Sequence, residues 1–369
     1  MRWRRPLLAA MLLAGGWWFV ARPGRRPAPV TASPRGAAAA TNSPTRLYDS
    51  LDVLHDGRFE AYLDDLYHES NIDVRFLIVP GVEGSIEDYA RSAARRLGVG
   101  GATGGRGLLF VYDARGQRLR IEVGPPLEGV ITDHFAGYLM RRHVRDFAAA
   151  NDLSLGFRLM LFIIHRRIRE AVLGDEYDPR AVDFVREPHR LAVGGGASAQ
   201  FPVGTDPSVF TRPASDSVVR AYFAPQPDVA SAYNRYLEWL ATDGFPKDVP
   251  LFTPSSAIGL ARMPLTRAYG DYVLFGMFGK RHEIVQRDSL AMIYYTGTPF
   301  VSPNFLRLTA EGWRVDIGAE LRNSQEWIGV GLTWTLLDSR DEYANRFRDL
   351  YTRVDGALRI KYGDNRRLR

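Results

Sequence analysis

Cysteine is absent from the 369 residues. That single absence removes disulfides, thiolate nucleophiles, thiolate-held zinc and a lipid-carrying cysteine. Histidine is sparse, at seven, and shows no close pair at ligand spacing. His134 and His143 are nine apart, which puts them on different sides of one helix and argues against a zinc site. There is no Gly-x-Ser-x-Gly elbow. The glycine-rich run GVGGATGGRG, residues 98–107, lacks the Lys-Ser/Thr ending of a phosphate cradle and leads into a strand rather than a helix. It reads as a flexible connection, with Arg106 at its end placed to hold an anion. No internal repeat is visible. An uncharged run long enough for a full membrane span, about 20 residues, is also missing.

What is present is globular. Apolar residues make up 46% and charged residues 24%, and the length gives two domains as a prior. The net charge of +6 comes from scattered arginines, with some at the N-terminus and some in the tail from Arg359 to Arg369. Scattered basic charge is a solvated surface, so no nucleic-acid partner is expected. The N-terminus sets the expected compartment. Three arginines in Met1–Arg5 precede the uncharged stretch Pro6–Ala21, the layout of an export signal. Residues 1–21 are read as a signal-anchor or a signal peptide. Residues 22–44, rich in Pro, Ala and Arg, are read as a disordered tether.

Phe59, Tyr62, Leu63, Leu66 and Tyr67 recur at helical spacing. Val74–Val79 is a strand ended by Pro80-Gly81, and Ser85 with Asp88 opens a helix. Leu108–Tyr112 is a strand, Asp113–Gln117 a hairpin loop, and residues 118–123 an alternating strand. Thr132 or Asp133 caps the next helix, and a last helix from about Ser154 to Val172 is apolar nearly all round. The order helix, strand, helix, strand, strand, helix, helix gives an α/β sandwich over residues 45–175. Residues 176–216 have linker composition. Residues 217–369 read as an α+β domain with strands expected at Tyr272–Phe278, Ser289–Tyr295 and Phe305–Leu308. Alternation is expected from Trp313 to Ile317, and a helix near Tyr343–Tyr351.

The stretch RLRIEVGPPLEGVITDHFAGYLM, residues 118–140, resembles the signature of the TPM domain family: Val123-Gly124, then Leu127-Glu128-Gly129, then Thr132-Asp133 opening a helix. SIEDYARSAARRLGVG (85–100), RGLLFVYDARGQRLRIEVG (106–124) and NDLSLGFRLMLFII extend the resemblance over roughly a third of the chain. Pro125 and Pro126 depart from it, standing where the family usually has an aromatic residue and glycine. The resemblance implies a TPM-type α/β sandwich. It also implies membrane-associated accessory roles, with some members reported as acid phosphatases or calcium binders. More weakly, the C-terminal part resembles the nuclear-transport-factor-like cone, whose ligand would lie against Trp313, Tyr294 and Tyr295.

Oxygen-rich clusters suit calcium or magnesium, and phosphate-ester hydrolysis would use the same groups. The candidate metal ligands are Asp113, Glu128, Asp133 and, from its place in the resemblance, Asp152. Each has a plainer reading: Asp113 as a hairpin residue, Glu128 as a bracket for its own turn, Asp133 as a helix cap. No organic cofactor is expected. The functional expectation is a non-enzymatic binding or accessory module. It would be anchored in the bacterial inner membrane with its bulk in the periplasm, or exported if the signal is cleaved, and would serve a membrane protein or envelope complex. The alternative is a metal-dependent phosphatase.

Overall fold

The computed structural model describes residues 45–54, 58–172, 196–204, 207–210, 214–261, 263–296, 301–323, 326–327, 331–332, 341–354 and 357–360. The expected membrane segment and tether, residues 1–44, lie outside them. Among the described residues no helix is long and apolar enough to cross a membrane.

The N-terminal half is built on a five-stranded sheet in the order β1 (Leu47–Asp49), β2 (Asp73–Val79), β3 (Gly107–Asp113), β4 (Arg118–Val123), β5 (Gly196–Gln200). β1, β2 and β3 are parallel, and β4 and β5 run antiparallel to their neighbours. All seven residues of β3 are buried, because helices cover both faces of the sheet. On one face lie α1 (Arg58–Ser70) and α5 (Leu153–Val172), where Phe59, Leu63 and Phe157 meet Phe76 and Phe110. Phe76 and Phe110 are cross-strand partners with rings stacked at 4.4 Å. On the other face α2 (Ile86–Leu97) lays Ile86, Ala90 and Ala93 on Leu109 and Val111.

The helix starts follow their caps. Ser85 Oγ accepts the Asp88 N–H at 3.2 Å, and Thr132 Oγ1 accepts the Phe135 N–H at 3.2 Å to open α3 (Asp133–Leu139). After α3 the helix widens into a π turn, Met140–Val144, before α4 (Arg145–Ala149). β5 is a departure from expectation. Composition gives residues 176–216 as linker, yet Gly196–Gln200 pairs along β4 from Glu122 to Arg118. Small residues (GASAQ) hide this strand from a pattern search for branched and aromatic side chains.

The C-terminal half is α+β. Helices α6 (Ser217–Tyr222), α7 (Val229–Ala241), α8 (Pro254–Ala261) and α9 (Arg267–Met277) precede an antiparallel sheet, β6 (His282–Arg287), β7 (Leu290–Tyr295), β8 (Asn304–Thr309) and β9 (Gly312–Val315). α10 (Ile317–Asn323) and α11 (Glu342–Arg346) follow. The strand expected at Tyr272–Phe278 is the second part of α9. Its residues are branched and aromatic, but Thr266 caps a helix there by accepting the Tyr269 N–H. The alternation expected to reach Ile317 stops at Val315, because Asp316 accepts the Ala319 N–H and turns the chain into α10.

One hydrophobic cluster runs through both halves, from Leu54 and Phe59 to Tyr343 and Phe347. Its seam is made by α9 against α3, the π turn and α5. Tyr138 Oη donates to Asp271 Oδ2 at 2.5 Å, and Asp271 also pairs with Arg267. The Phe162 ring meets Tyr272 edge-on, and Arg166 lies 4.8 Å from the centre of the same ring. His143, fully buried in the π turn, bonds Thr266 Oγ1 through Nδ1 (2.7 Å) and the Gly156 carbonyl through Nε2 (3.0 Å). A carbonyl only accepts, so Nε2 carries the proton. Burial then holds the ring neutral, with its pKa pushed down to about 4 despite the Gly156 carbonyl, so Nδ1 accepts from the Thr266 hydroxyl.

Candidate functional site

The antiparallel pairing of β3 and β4 decides which loops can cooperate. Asp113 faces Arg118 at one end of this hairpin, and Leu108 faces Val123 at the other. With about 3.3 Å per residue, the two ends are some 17 Å apart. Asp113 therefore does not join Glu128 and Asp133, which follow β4 at its far end.

Asp113 is buried and already engaged. Its Oδ1 accepts the Gly116 N–H at 2.9 Å, and its Oδ2 accepts Arg118 Nη2 at 2.6 Å and Nε at 3.0 Å. Burial raises the carboxyl pKa, but the Gly116 N–H and the Arg118 guanidinium outweigh it and leave the group below the usual carboxylate range. The same guanidinium reaches the Val82 carbonyl at 2.9 Å, so this carboxylate brackets a turn. Asp133 accepts the Gly196 N–H at 2.5 Å and thereby secures the start of β5, while Thr132 does the capping. Asp152 accepts the Leu155 N–H at 3.3 Å at the start of α5. Glu128 is exposed, at the end of a short 3-10 turn, Pro125–Leu127, and Asp152 is exposed too, at the start of α5. Among the described residues no group of three or more His, Cys, Asp or Glu side chains is placed to hold a metal ion.

Two loops do meet at the Glu128 end of the sheet. The glycine-rich run is not a loose connection. Gly98, Gly100, Gly104 and Gly105 have positive φ, between 63° and 89°. Asp73 accepts the Gly100 N–H at 2.9 Å, and Thr103 Oγ1 bonds the carbonyls of Gly100 and Arg106 at 3.2 and 2.9 Å. Asp73 is in turn held by Arg75, which also ties down the Leu97 carbonyl at 2.7 Å. The second loop leans on this frame. Gly124 N–H donates to the Gly107 carbonyl at 2.8 Å, and there is no room for a side chain at Gly124, whose Cβ would overlap the Gly105 carbonyl oxygen. The Pro126 ring lies against Gly105.

Pro125 and Pro126 fit because the chain turns here as a 3-10 helix with proline at its first positions, where φ is negative and no N–H is required. Leu127 and Ile131 anchor the loop in the core, and Arg167 holds the Val130 carbonyl at 2.6 Å. The outward residues are Gly101, Ala102, Gly104, Pro125, Pro126, Glu128 and Gly129. The result is a small, stiff rim of low side-chain entropy. Arg106 borders it, donating to the Asn71 carbonyl at 3.2 Å.

The expected ligand residues of the C-terminal half do not share a space. Trp313 is buried and its backbone pairs with Gln226. It lies beside Leu308, at the Leu290 end of the sheet, whereas Tyr294 stands four residues further along β7 and donates to Glu283. Burial first, then Glu283, pushes the Tyr294 phenol up to about 12. Three features escaped the sequence reading: the Tyr138–Asp271 and His143–Thr266 bonds across the seam, the Asp73–Arg75 brace under the glycine loop, and the buried carboxyl of Glu320. Only the last left a local signal. Asp316 is a good cap, which places Glu320 on the first turn of a helix rather than at a strand end.

The comparisons with known proteins bear on the first half. No curated protein matches the chain. Among solved structures, the solution NMR structure of the N-terminal domain of a protein from P. gingivalis is similar at 19% identity. The match covers 37% of this chain and 88% of that one, with a TM-score of 0.32. A family model described as the TPM domain matches residues 47–161, from β1 into α5. The chain carries a TPM domain over residues 47–161.

Proposed function

We propose that this protein is a binding or accessory module of the cell envelope, held at the outer face of the cytoplasmic membrane by its N-terminal segment. In this reading it engages a membrane protein through the rim formed by residues 100–105 and 124–130. The observation that carries the reading is the rim itself. Two exposed loops are locked to each other and to the sheet by backbone bonds, so docking costs little ordering entropy. The basic start and uncharged stretch of residues 1–21 supply the anchor, and residues 22–44 the tether. Asp113, Asp133 and Asp152 act as structural brackets, which leaves Glu128 as the acidic group of the set that faces outward on the rim.

The test is site-specific photo-crosslinking in intact cells, with the crosslinker at Pro126 and Glu128 and a control at Glu283 on β6. The expected result is a discrete membrane-protein adduct from the rim positions and none from the control. The same adduct from all three positions would remove the rim from the proposal. Hydrolysis of p-nitrophenyl phosphate by the full chain, lost in Glu128→Gln, would replace the accessory reading with the phosphatase one.

A further inference from the structure

The antiparallel sheet of the C-terminal half has two outer strands, and the chain treats them differently. At β9 the edge is covered. Trp313 exchanges backbone bonds with Gln226, and Val315 donates to the Leu251 carbonyl and accepts the Thr253 N–H. At β6 no strand among the described residues pairs with the outer edge. Antiparallel bonding alternates, so the outward-turned residues follow from the β6–β7 ladder. The Thr296 N–H donates to the Arg281 carbonyl at 2.9 Å. In the same register Glu283, Val285 and Arg287 direct their backbone bonds to Tyr294, Met292 and Leu290. His282, Ile284 and Gln286 therefore aim their backbone N–H and carbonyl groups away from the sheet, and all three residues are exposed. Ile284 is 40% exposed despite its apolar side chain. The strand HEIVQR has no proline, glycine, lysine or bulge, the devices that keep an edge from pairing.

The charges along this edge suit a second copy of the same strand. A two-fold axis sets such a strand antiparallel to its copy, and the outward residues must meet outward residues. With Val285 on the axis, Ile284 faces Gln286 of the other copy, and Glu283 faces Arg287 on both sides of the axis. With Ile284 on the axis, Arg281 opposes Arg287, and like charges repel. With Gln286 on the axis, Glu283 faces Ser289 and its charge finds no opposite. We propose that this chain dimerises through β6, with Val285 on the two-fold axis, joining two four-stranded sheets into one of eight strands. Ile284 of each copy then lies diagonally beside its counterpart, which takes both side chains out of water. Within one copy Glu283 accepts the Tyr294 phenol, and Arg287 is shared with Asp349 at 2.5 Å. Those bonds hold the two side chains in place, so pairing costs them little freedom. The edge belongs to the α+β half, and the proposal stands whether or not the rim binds a partner.

The chain has no cysteine, so one introduced thiol reports one position. The experiment is copper-phenanthroline oxidation of the full chain carrying Val285→Cys, Ile284→Cys or Gln286→Cys in turn, read on non-reducing gels. Across a non-hydrogen-bonded antiparallel pair the Cα atoms lie about 4.5 Å apart, within disulfide reach. Val285→Cys should give the double-mass band first, although Val285 is the least exposed of the three. Faster crosslinking at Ile284 or Gln286 would mean collision or another register and overturns the proposal. Sedimentation of the full chain in mild detergent then tests the charges, with Glu283→Arg, Arg287→Glu and the double exchange. Each single change should weaken dimerisation by about tenfold or more, and the double exchange should restore most of it. A double exchange as weak as the single ones overturns the register. A wild-type chain still monomeric at about 0.1 mM overturns the dimer and leaves the edge to a strand of another protein. An adduct of the chain with itself from a crosslinker at Glu283 would support the β6 pairing and count nothing against the rim.

Discussion

Replacing Glu320 by glutamine should leave stability almost unchanged in mild acid and raise it above neutrality. In the unfolded chain a glutamate loses its proton near 4.5, whereas in the fold burial delays the loss until about pH 7. Between those values the folded state binds the extra proton, so wild-type stability falls as pH rises from 4.5 to 7 and then levels off. The displacement of about 2.5 pH units, at about 1.4 kcal/mol per unit, amounts to roughly 3 kcal/mol. Glutamine keeps the volume and the acceptor but cannot ionise. The Tm of Glu320→Gln minus that of wild type should therefore grow from near zero at pH 4.5 to about 6–12 °C at pH 7.5, using about 2–4 °C per kcal/mol. Circular dichroism melts of both proteins across that range give the difference directly, and other titrating groups cancel in it. His143 provides an internal check of sign. Its folded pKa is lowered from 6.5 to about 4, so its contribution is lost as pH falls through that window and rises with pH, opposite to Glu320. The variant's own curve should thus climb between pH 4.5 and 6.5. A constant offset between the two proteins at every pH would refute the argument.

Tyr138→Phe removes the bond to Asp271 across the seam and should cost about 1.5–3 kcal/mol in urea unfolding; a loss under about 0.5 kcal/mol would mean the bond is not formed in solution. Gly124→Ala drives a methyl group into the Gly105 carbonyl, so the two rim loops must part. Crosslinking from Pro126 should drop sharply, with a stability loss of about 2 kcal/mol, and unaltered crosslinking would count against a stiff rim. Gly116→Ala places its methyl against the Asp113 carboxylate and Arg118, opening that bracket. The expected loss is about 1–3 kcal/mol, and an unchanged urea midpoint would contradict it.

The N-terminal half was largely legible because its signals are local. The caps at Ser85 and Thr132, the apolar run of β2 and the alternation of β4 each specify an element within a few residues. The site was less legible. The antiparallel hairpin alone separates Asp113 from Glu128, a consequence open to sequence reasoning, but the carboxylates' occupations depend on distant atoms: Asp133 on Gly196 and Asp73 on Gly100. In the C-terminal half, α9 shows propensity giving way to context. Tyr272, Val273 and Phe275 favour strands, yet the helix buries Tyr269, Tyr272 and Leu274 in the core. β5 was invisible for the opposite reason, because Gly, Ala and Ser carry no strand pattern, and its place is set by the open edge of β4.

That placement of β5 has a mechanical consequence. The strand comes from the stretch of chain that joins the halves, and it is stitched to β4 at five successive positions. Tension applied between the two halves must pass along β5 before it reaches α6. The ladder of bonds to β4 would then share the load lengthwise, rather than open one bond at a time. Under a pull that separates the halves, the first point of yield would be set by residues 118–122 and 196–200.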